Sequence, residues 1–172
     1  MTTPIDANKL GALWSTLDRE MARAMDGHSA TAAAMLLWLY HGSPTGVVEL
    51  CRVVGVSQPA GSRAIDKLVQ AGFFHKLSAS AREVWLELSP AGRAEAERLQ
   101  GRRLTACGSL LGALTPQEQV TMSALLDKLL TAPVIDRGYA RNVCRFCDHA
   151  VCDGPACPVG CRATQIERAA AA

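Results

Sequence analysis

At Gly72 the hydrophobic period of this chain changes from about 3.6 residues to two, and no other feature limits its possible folds as tightly. Upstream, Leu10, Leu13, Trp14, Leu17, Met21 and Met25 recur at spacings of three and four, predicting the buried face of a first helix that ends near Asp26-Gly27. Residues 35–40 are apolar nearly all round and stop at Gly42-Ser43-Pro44, so a fully buried helix is expected there. A short helix covers 47–53, and Gly55-Val56-Ser57 breaks it. Ser57 is placed to cap the next helix, with Pro59 tolerated in its first turn, where a missing N–H costs nothing. That helix turns Ala60, Ala64, Ile65, Leu68 and Val69 inward and closes on Gly72. Two helices joined by a tight glycine-containing turn form a helix-turn-helix.

Beyond Gly72, residues 73–77 and 83–88 read as two short strands around the polar turn Ser78-Ala79-Ser80-Ala81; in the second, Val84, Leu86 and Leu88 alternate with Glu83, Trp85 and Glu87. Ser89-Pro90-Ala91-Gly92 opens a long helix to about Leu114. Thr115-Pro116-Gln117-Glu118 has capping-box spacing and starts a last helix to about Thr131. Pro133 is read as the end of regular structure. The fold class is therefore mainly α with a small β-hairpin wing, a winged helix-turn-helix with N- and C-terminal dimerisation helices. Dimerisation is expected because apolar faces on both terminal helices exceed what a three-helix winged core can bury. The organisation reads as 1–30 N-terminal dimerisation helix, 31–92 winged DNA-binding domain, 93–132 C-terminal dimerisation helices and 133–172 cysteine-rich tail.

Charge is distributed unevenly. Residues 57–103 hold eight Lys/Arg against five Asp/Glu, residues 1–56 four against five, and residues 104–172 six against six. A basic excess confined to the helix-turn-helix and wing is the footprint expected for nucleic acid. Gln58, Ser62, Arg63 and Lys67 lie on the helix face opposite Ala64, Ile65 and Leu68, where side chains enter a major groove. Arg63 suits a bidentate bond to guanine, Gln58 suits adenine and Lys67 suits phosphate. Arg82 at the wing is the candidate minor-groove residue. No Ser/His/Asp order, phosphate loop or paired-carboxylate signature is present, so the chain reads as a non-enzyme. Residues 32–40, the longest apolar run, are too few to span a bilayer, and residues 1–9 do not resemble a signal peptide. A cytoplasmic protein without a membrane partner is expected.

These residues carry a family resemblance. The helix-turn-helix, strand, wing and strand, the string Leu88-Ser89-Pro90-Ala91-Gly92-Arg93, and Leu114-Thr115-Pro116-Gln117-Glu118 together resemble the MarR family of bacterial winged-helix regulators over residues 8–132. The most specific pieces are Leu68-Val69-Gln70-Ala71-Gly72-Phe73-Phe74 and the Leu-Ser-Pro-Ala-Gly string. Where the family's wing tip commonly reads Asp-x-Arg, this chain has Ser78-Ala79-Ser80-Ala81-Arg82, keeping the arginine without the acid. The resemblance implies a homodimer bound to an inverted-repeat operator in double-stranded DNA. It also implies repression relieved by a small molecule, an oxidant or a metal.

Five of the seven cysteines fall within eighteen residues, Cys144, Cys147, Cys152, Cys157 and Cys161. The surrounding segment is rich in glycine and proline and poor in large apolar residues, so something other than burial is expected to order it. Disulfides are the alternative framework, but in a reducing cytosol clustered cysteines mean metal or redox chemistry. The run C-x2-C-x4-C-x4-C over Cys144, Cys147, Cys152 and Cys157 has zinc-knuckle ligand spacing with the usual histidine replaced by Cys152. Zn2+ is the favoured cofactor, with a [4Fe-4S] or [2Fe-2S] cluster as alternative, since Cys157-Pro158 also ends ferredoxin-type motifs. Cys161 is a fifth sulfur able to replace Cys157, stay free or be idle, and His149 competes for a place. Cys51 and Cys107 read as small hydrophobes. The functional expectation is a transcriptional regulator whose thiolate centre senses redox, gas or metal, or stabilises the dimer. The competing class is a thiol or iron–sulfur redox protein using its winged helix for protein contacts.

Overall fold

The structure, a computed structural model, describes residues 3–42, 44–80 and 83–171, with the backbone alone for 78–80 and 83. Eight α-helices and a small sheet appear among these residues. The first helix, α1 (Pro4–Ala24), starts at Thr3, whose side chain accepts from the Asp6 amide. Its apolar face corrects the expectation of burial. Leu10, Leu13 and Trp14 are exposed, Trp14 by 68%. Only Met21, Ala24 and Met25, at the C-terminal end, reach the core. The apolar stripe of its N-terminal half therefore stays largely uncovered by the described residues.

The centre of the molecule is α2 (Ala30–His41), whose Ala33, Ala34, Met35, Leu36 and Leu37 are wholly buried. It is apolar all round because neighbours surround it. A two-residue strand, β1 (Thr45–Gly46), leads into α3 (Val47–Val54). Helix α3 ends at Gly55 with φ 77°, the left-handed cap that β-carbon-bearing residues resist. Helix α4 (Gln58–Gln70) follows with Pro59 in its first turn, and buries Gly61, Ile65 and Leu68. Ser57 occupies the N-cap but its side chain makes no capping bond, contrary to expectation; the residue is exposed, so the first amides of α4 are open to solvent.

The hairpin is β2 (Phe74–Ser80) and β3 (Glu83–Leu88), antiparallel from Phe74 opposite Leu88 to Ser78 opposite Val84, with a register shift before Ser80. Strand β2 thus runs through Ser78 and Ser80, which the sequence reading assigned to the turn. The sequence reading also missed β1, which pairs Thr45 with Leu86 and makes β3 central. Helix α5 (Pro90–Leu111) is capped by Ser89, and α6 (Pro116–Thr131) carries the expected capping box between Thr115 and Glu118. Leu50, Ile65, Phe74, Leu86 and Leu99 close the core around α2, each such burial worth about 1.5–3 kcal/mol.

Regular structure does not end at Pro133. Helix α7 (Arg137–Val143), a single 3-10 turn (Gly154–Ala156) and α8 (Pro158–Ala170) follow. Val134, Ala140, Val159 and Ala163 form a second small core. Small residues on two short helices approach closely enough to pack without large side chains, so the segment carries few of the bulky apolar residues that mark a core in sequence. Among the described residues no helix is long and apolar enough to cross a membrane.

Candidate nucleic-acid interface and cysteine cluster

Helix α4 is held from below. Ile65 and Leu68 enter the core, and Gly61 lies so close to α3 that a β-carbon on it would stand 2.2 Å from the Cys51 sulfur. Cys51 is buried there as a packing residue, and burial raises its thiol pKa. The opposite face of α4 presents Gln58, Ser62, Arg63 and Lys67, all exposed. Asp66 on the same helix is neutralised by Lys76 of β2 at 2.8 Å. Among the described residues neither Arg63 nor Lys67 has an ion-pair partner, so both cations are available to an anionic ligand. Arg82 lies outside the described residues.

At the other end of the chain, Cys144 terminates α7 and Cys157 caps α8. Of the four cysteines singled out by spacing, Cys144, Cys152 and Cys157 line one cleft. Cys147 lies close enough to Cys144 and Cys152, and Cys152 to Cys157, for the thiols to shift one another's titration. Neighbouring Cys144, with Arg103 nearby, holds the Cys147 thiol down to about 6 against the effect of burial. Burial first, then Cys157 and Cys147, push Cys152 up to about 11. Cys157 accepts from the Gly160 amide at 3.2 Å at the N-terminus of α8.

Cys161 stands apart, donating to the Gly154 carbonyl at 3.3 Å. His149 packs edge-on against Trp38 at 5.9 Å and beside His41 at 5.6 Å. It nonetheless lines a cleft of about 120 Å³ together with Cys144, Cys152 and Cys157. Among the described residues no group of three or more His, Cys, Asp or Glu is disposed to hold a metal ion. Thiols are nonetheless the donor type a soft metal prefers, and Arg103 helps to lower the Cys147 thiol.

Sequence reasoning missed how the tail docks. Asn142 donates to the Val53 carbonyl of α3 at 2.8 Å, Arg141 pairs with Glu49 of α3 at 2.6 Å, and Phe146 packs against the main core. The His41 imidazole lies 3.5 Å from the Asp148 carboxylate. Burial lowers the His41 pKa, overriding that neighbour.

No protein-family model matches the chain. A Bacillus subtilis protein described as an uncharacterized HTH-type transcriptional regulator, YwhA, is 32% identical over 91 residues, or 52% of this chain and 65% of that protein's length. The Mycobacterium tuberculosis MarR family protein Rv2887 in complex with DNA is 25% identical, with TM-score 0.60 over 74% of this chain and 98% of that one. RV1404 from the same organism superposes with TM-score 0.69 over 77% of this chain and 95% of that one, at 20% identity. The two solved structures cover about three quarters of this chain, and the Bacillus subtilis relative about half. Through the part they cover, the chain has the winged helix-turn-helix fold of the MarR-type structures.

Proposed function

We propose that this chain is a homodimeric, DNA-binding regulator of transcription that inserts α4 into successive major grooves of an inverted-repeat operator. The carrying observation is the outer face of α4, where Gln58, Ser62, Arg63 and Lys67 are exposed and the two cations are unpaired among the described residues, beside an antiparallel hairpin. The DNA-bound Rv2887 relative supports the reading. The dimer is supported by the apolar stripes on α1 and α6: Leu10, Leu13 and Trp14 on one, Val120, Leu125, Leu126, Leu129 and Leu130 on the other, all exposed in the single chain. Selection of bound duplexes from a random-sequence library tests it. Enrichment of a two-fold symmetric sequence by the wild type, lost in Arg63→Ala, is expected; retention of the same sequence by Arg63→Ala overturns the role of α4.

The cysteine cluster is proposed as a tetrathiolate centre of Cys144, Cys147, Cys152 and Cys157, taking Zn2+, or an iron–sulfur cluster as the alternative. Bound metal would bring a fixed charge and a cross-link between the ends of α7 and α8, sensing redox, gas or metal or stabilising the dimer. Elemental analysis with absorbance, on anaerobically purified protein, decides between the metals. Cys161→Ser should keep full occupancy and Cys152→Ser should lose it. Full occupancy in Cys152→Ser overturns the assignment.

A further inference from the structure

The chain beyond α6 is packed onto that helix. Residues 132–136 join α6 to α7, and Val134 of this link is buried with Ala140 of α7 and with Val159 and Ala163 of α8 in one small core. Helix α8 packs against α6 as well as against α7. Arg137, the first residue of α7, ties the two short helices together: its guanidinium meets Glu167 at 2.6 Å and donates to the Thr164 hydroxyl at 2.7 Å, both on α8. A shared core with polar pairs at its rim holds these elements as one body.

That body reaches the helix-turn-helix at the last turn of α7. Helix α3 stops at Gly55, so the carbonyls of its last turn lack intrahelical partners. The Val53 carbonyl takes the Asn142 side-chain amide at 2.8 Å, in a half-buried position. One residue earlier on α7, Arg141 meets Glu49 of α3 at 2.6 Å. The approach is close. A β-carbon on Gly55 would lie 2.7 Å from the Asn142 amide nitrogen, and φ there is 77°, so the position needs glycine both for its backbone and for its neighbour. The Gly55 and Val56 amides return to the Cys51 carbonyl, and the chain passes from them through Ser57 into α4.

Residues 133–170 therefore link α6, whose apolar stripe is assigned to the dimer interface, with the helix that leads into α4. The winged core is also attached through α5, which packs on α2. One attachment leaves a rigid unit free to rotate about it, and a second removes that freedom. Resting on the reading of the chain as a homodimeric DNA binder, we propose that residues 133–170 are a strut that fixes how far apart the two α4 helices stand in the dimer, with Asn142 and Arg141 as the positioning residues that hold α3 to it. Recognition helices at a set separation select operators whose half-sites match that separation. Without the α3 contact each winged unit rocks about α5, and duplexes of other half-site spacing compete better.

The test uses the full chain, the duplex selected by the wild type, and the same duplex with one base pair inserted or removed between the half-sites. Asn142→Asp replaces the donor by an acceptor of the same shape, and Arg141→Gln removes the cation that meets Glu49. In the double variant the Gly55 and Val56 amides should exchange about tenfold faster, for the loss of one half-buried hydrogen bond and one exposed ion pair, while the Leu36 and Leu37 amides of α2 keep their wild-type rates. Affinity for the selected duplex should fall about fivefold and affinity for the altered spacings should not, so discrimination between spacings falls by the same factor. Arg137→Gln, at a residue that bonds α8, should shift exchange and discrimination in the same direction. Exchange that quickens equally in α2 would mean the pair only keeps the protein folded, and overturns the positioning role. Unchanged discrimination in a double variant whose Gly55 and Val56 amides exchange faster overturns it as well, and an Arg137→Gln protein indistinguishable from wild type overturns the strut. Exchange reads the α3 contact without DNA, so its result stands apart from a duplex bound equally by Arg63→Ala, which overturns the role of α4.

Discussion

Gly92→Ala should destabilise the protein by about 2–4 kcal/mol, although alanine is the better helix former. Gly92 is the third residue of α5 and is buried. A β-carbon there would stand 2.0 Å from the Phe73 carbonyl oxygen and 2.9 Å from its carbon, well inside van der Waals contact with rigid backbone. That carbonyl accepts from the Ser89 amide at 2.9 Å. The Ser89 hydroxyl donates to the Gly72 carbonyl at 2.6 Å and accepts from the Gly92 amide at 2.9 Å. Making room means backing α5 away from the end of α4. Overpacking costs about 1–3 kcal/mol and weakening two hydrogen bonds about 1 kcal/mol each, against a gain of about 1 kcal/mol from helix propensity. Urea denaturation at one fixed protein concentration reads the difference as a lower midpoint with unchanged slope. Gly101→Ala on the same helix is the control. Nothing lies within 4 Å of its β-carbon, so it should gain about 0.5–1 kcal/mol. A Gly92→Ala midpoint at or above wild type would refute the close approach.

Ser89→Ala should cost about 1–2 kcal/mol by the same assay, because one hydroxyl both caps α5 and bonds the Gly72 carbonyl. The wild type should elute as the proposed dimer on size exclusion, and Leu126→Glu with Leu129→Glu as a monomer without loss of helical circular dichroism; an unchanged elution volume would place the interface elsewhere. Glu95 is held below its ordinary 4.5, chiefly by the Arg98 hydrogen bond and also by His28. A depressed carboxylate stabilises the fold above that value and ceases to do so as pH falls through the lower folded one. Comparing urea midpoints at about pH 6 and about pH 3.5, Glu95→Gln should therefore lose less stability than the wild type; equal losses would remove Glu95 from the acid response.

The winged core was legible because each of its elements writes its own boundary. Gly55 takes the left-handed cap, Thr115 and Glu118 form their capping box, and of the apolar run 35–40 Met35, Leu36, Leu37 and Leu39 are buried, with Trp38 and Tyr40 half-buried. The Leu-Ser-Pro-Ala-Gly string has a physical basis in the Ser89 cap and the Gly92 approach to Phe73. What was misread depends on contacts distant in sequence. Strand β1 is two residues long and exists only because β3 lies beside it. The first helix shows a periodic face whether its partner is this chain or another. In the tail, Asp136 caps α7 through the Tyr139 amide at 2.7 Å, and Pro158 opens α8. Both signals were present in the sequence but were outweighed by the glycines, prolines and cysteines around them. The spacing singled out Cys144, Cys147, Cys152 and Cys157, of which Cys144, Cys152 and Cys157 line one cleft; Asn142 and Arg141 gave no sign, since their partners lie some ninety residues away.

The affinity of wild type and Arg63→Ala for the selected duplex, measured across a range of salt concentrations, tests most directly that α4 reads DNA. The wild type should lose affinity linearly in log–log form as the cations of α4 and its surroundings displace phosphate counterions. Arg63→Ala should bind about 1–3 kcal/mol more weakly and discriminate less among base substitutions in each half-site. Superimposed curves and equal discrimination in the two proteins would contradict the account.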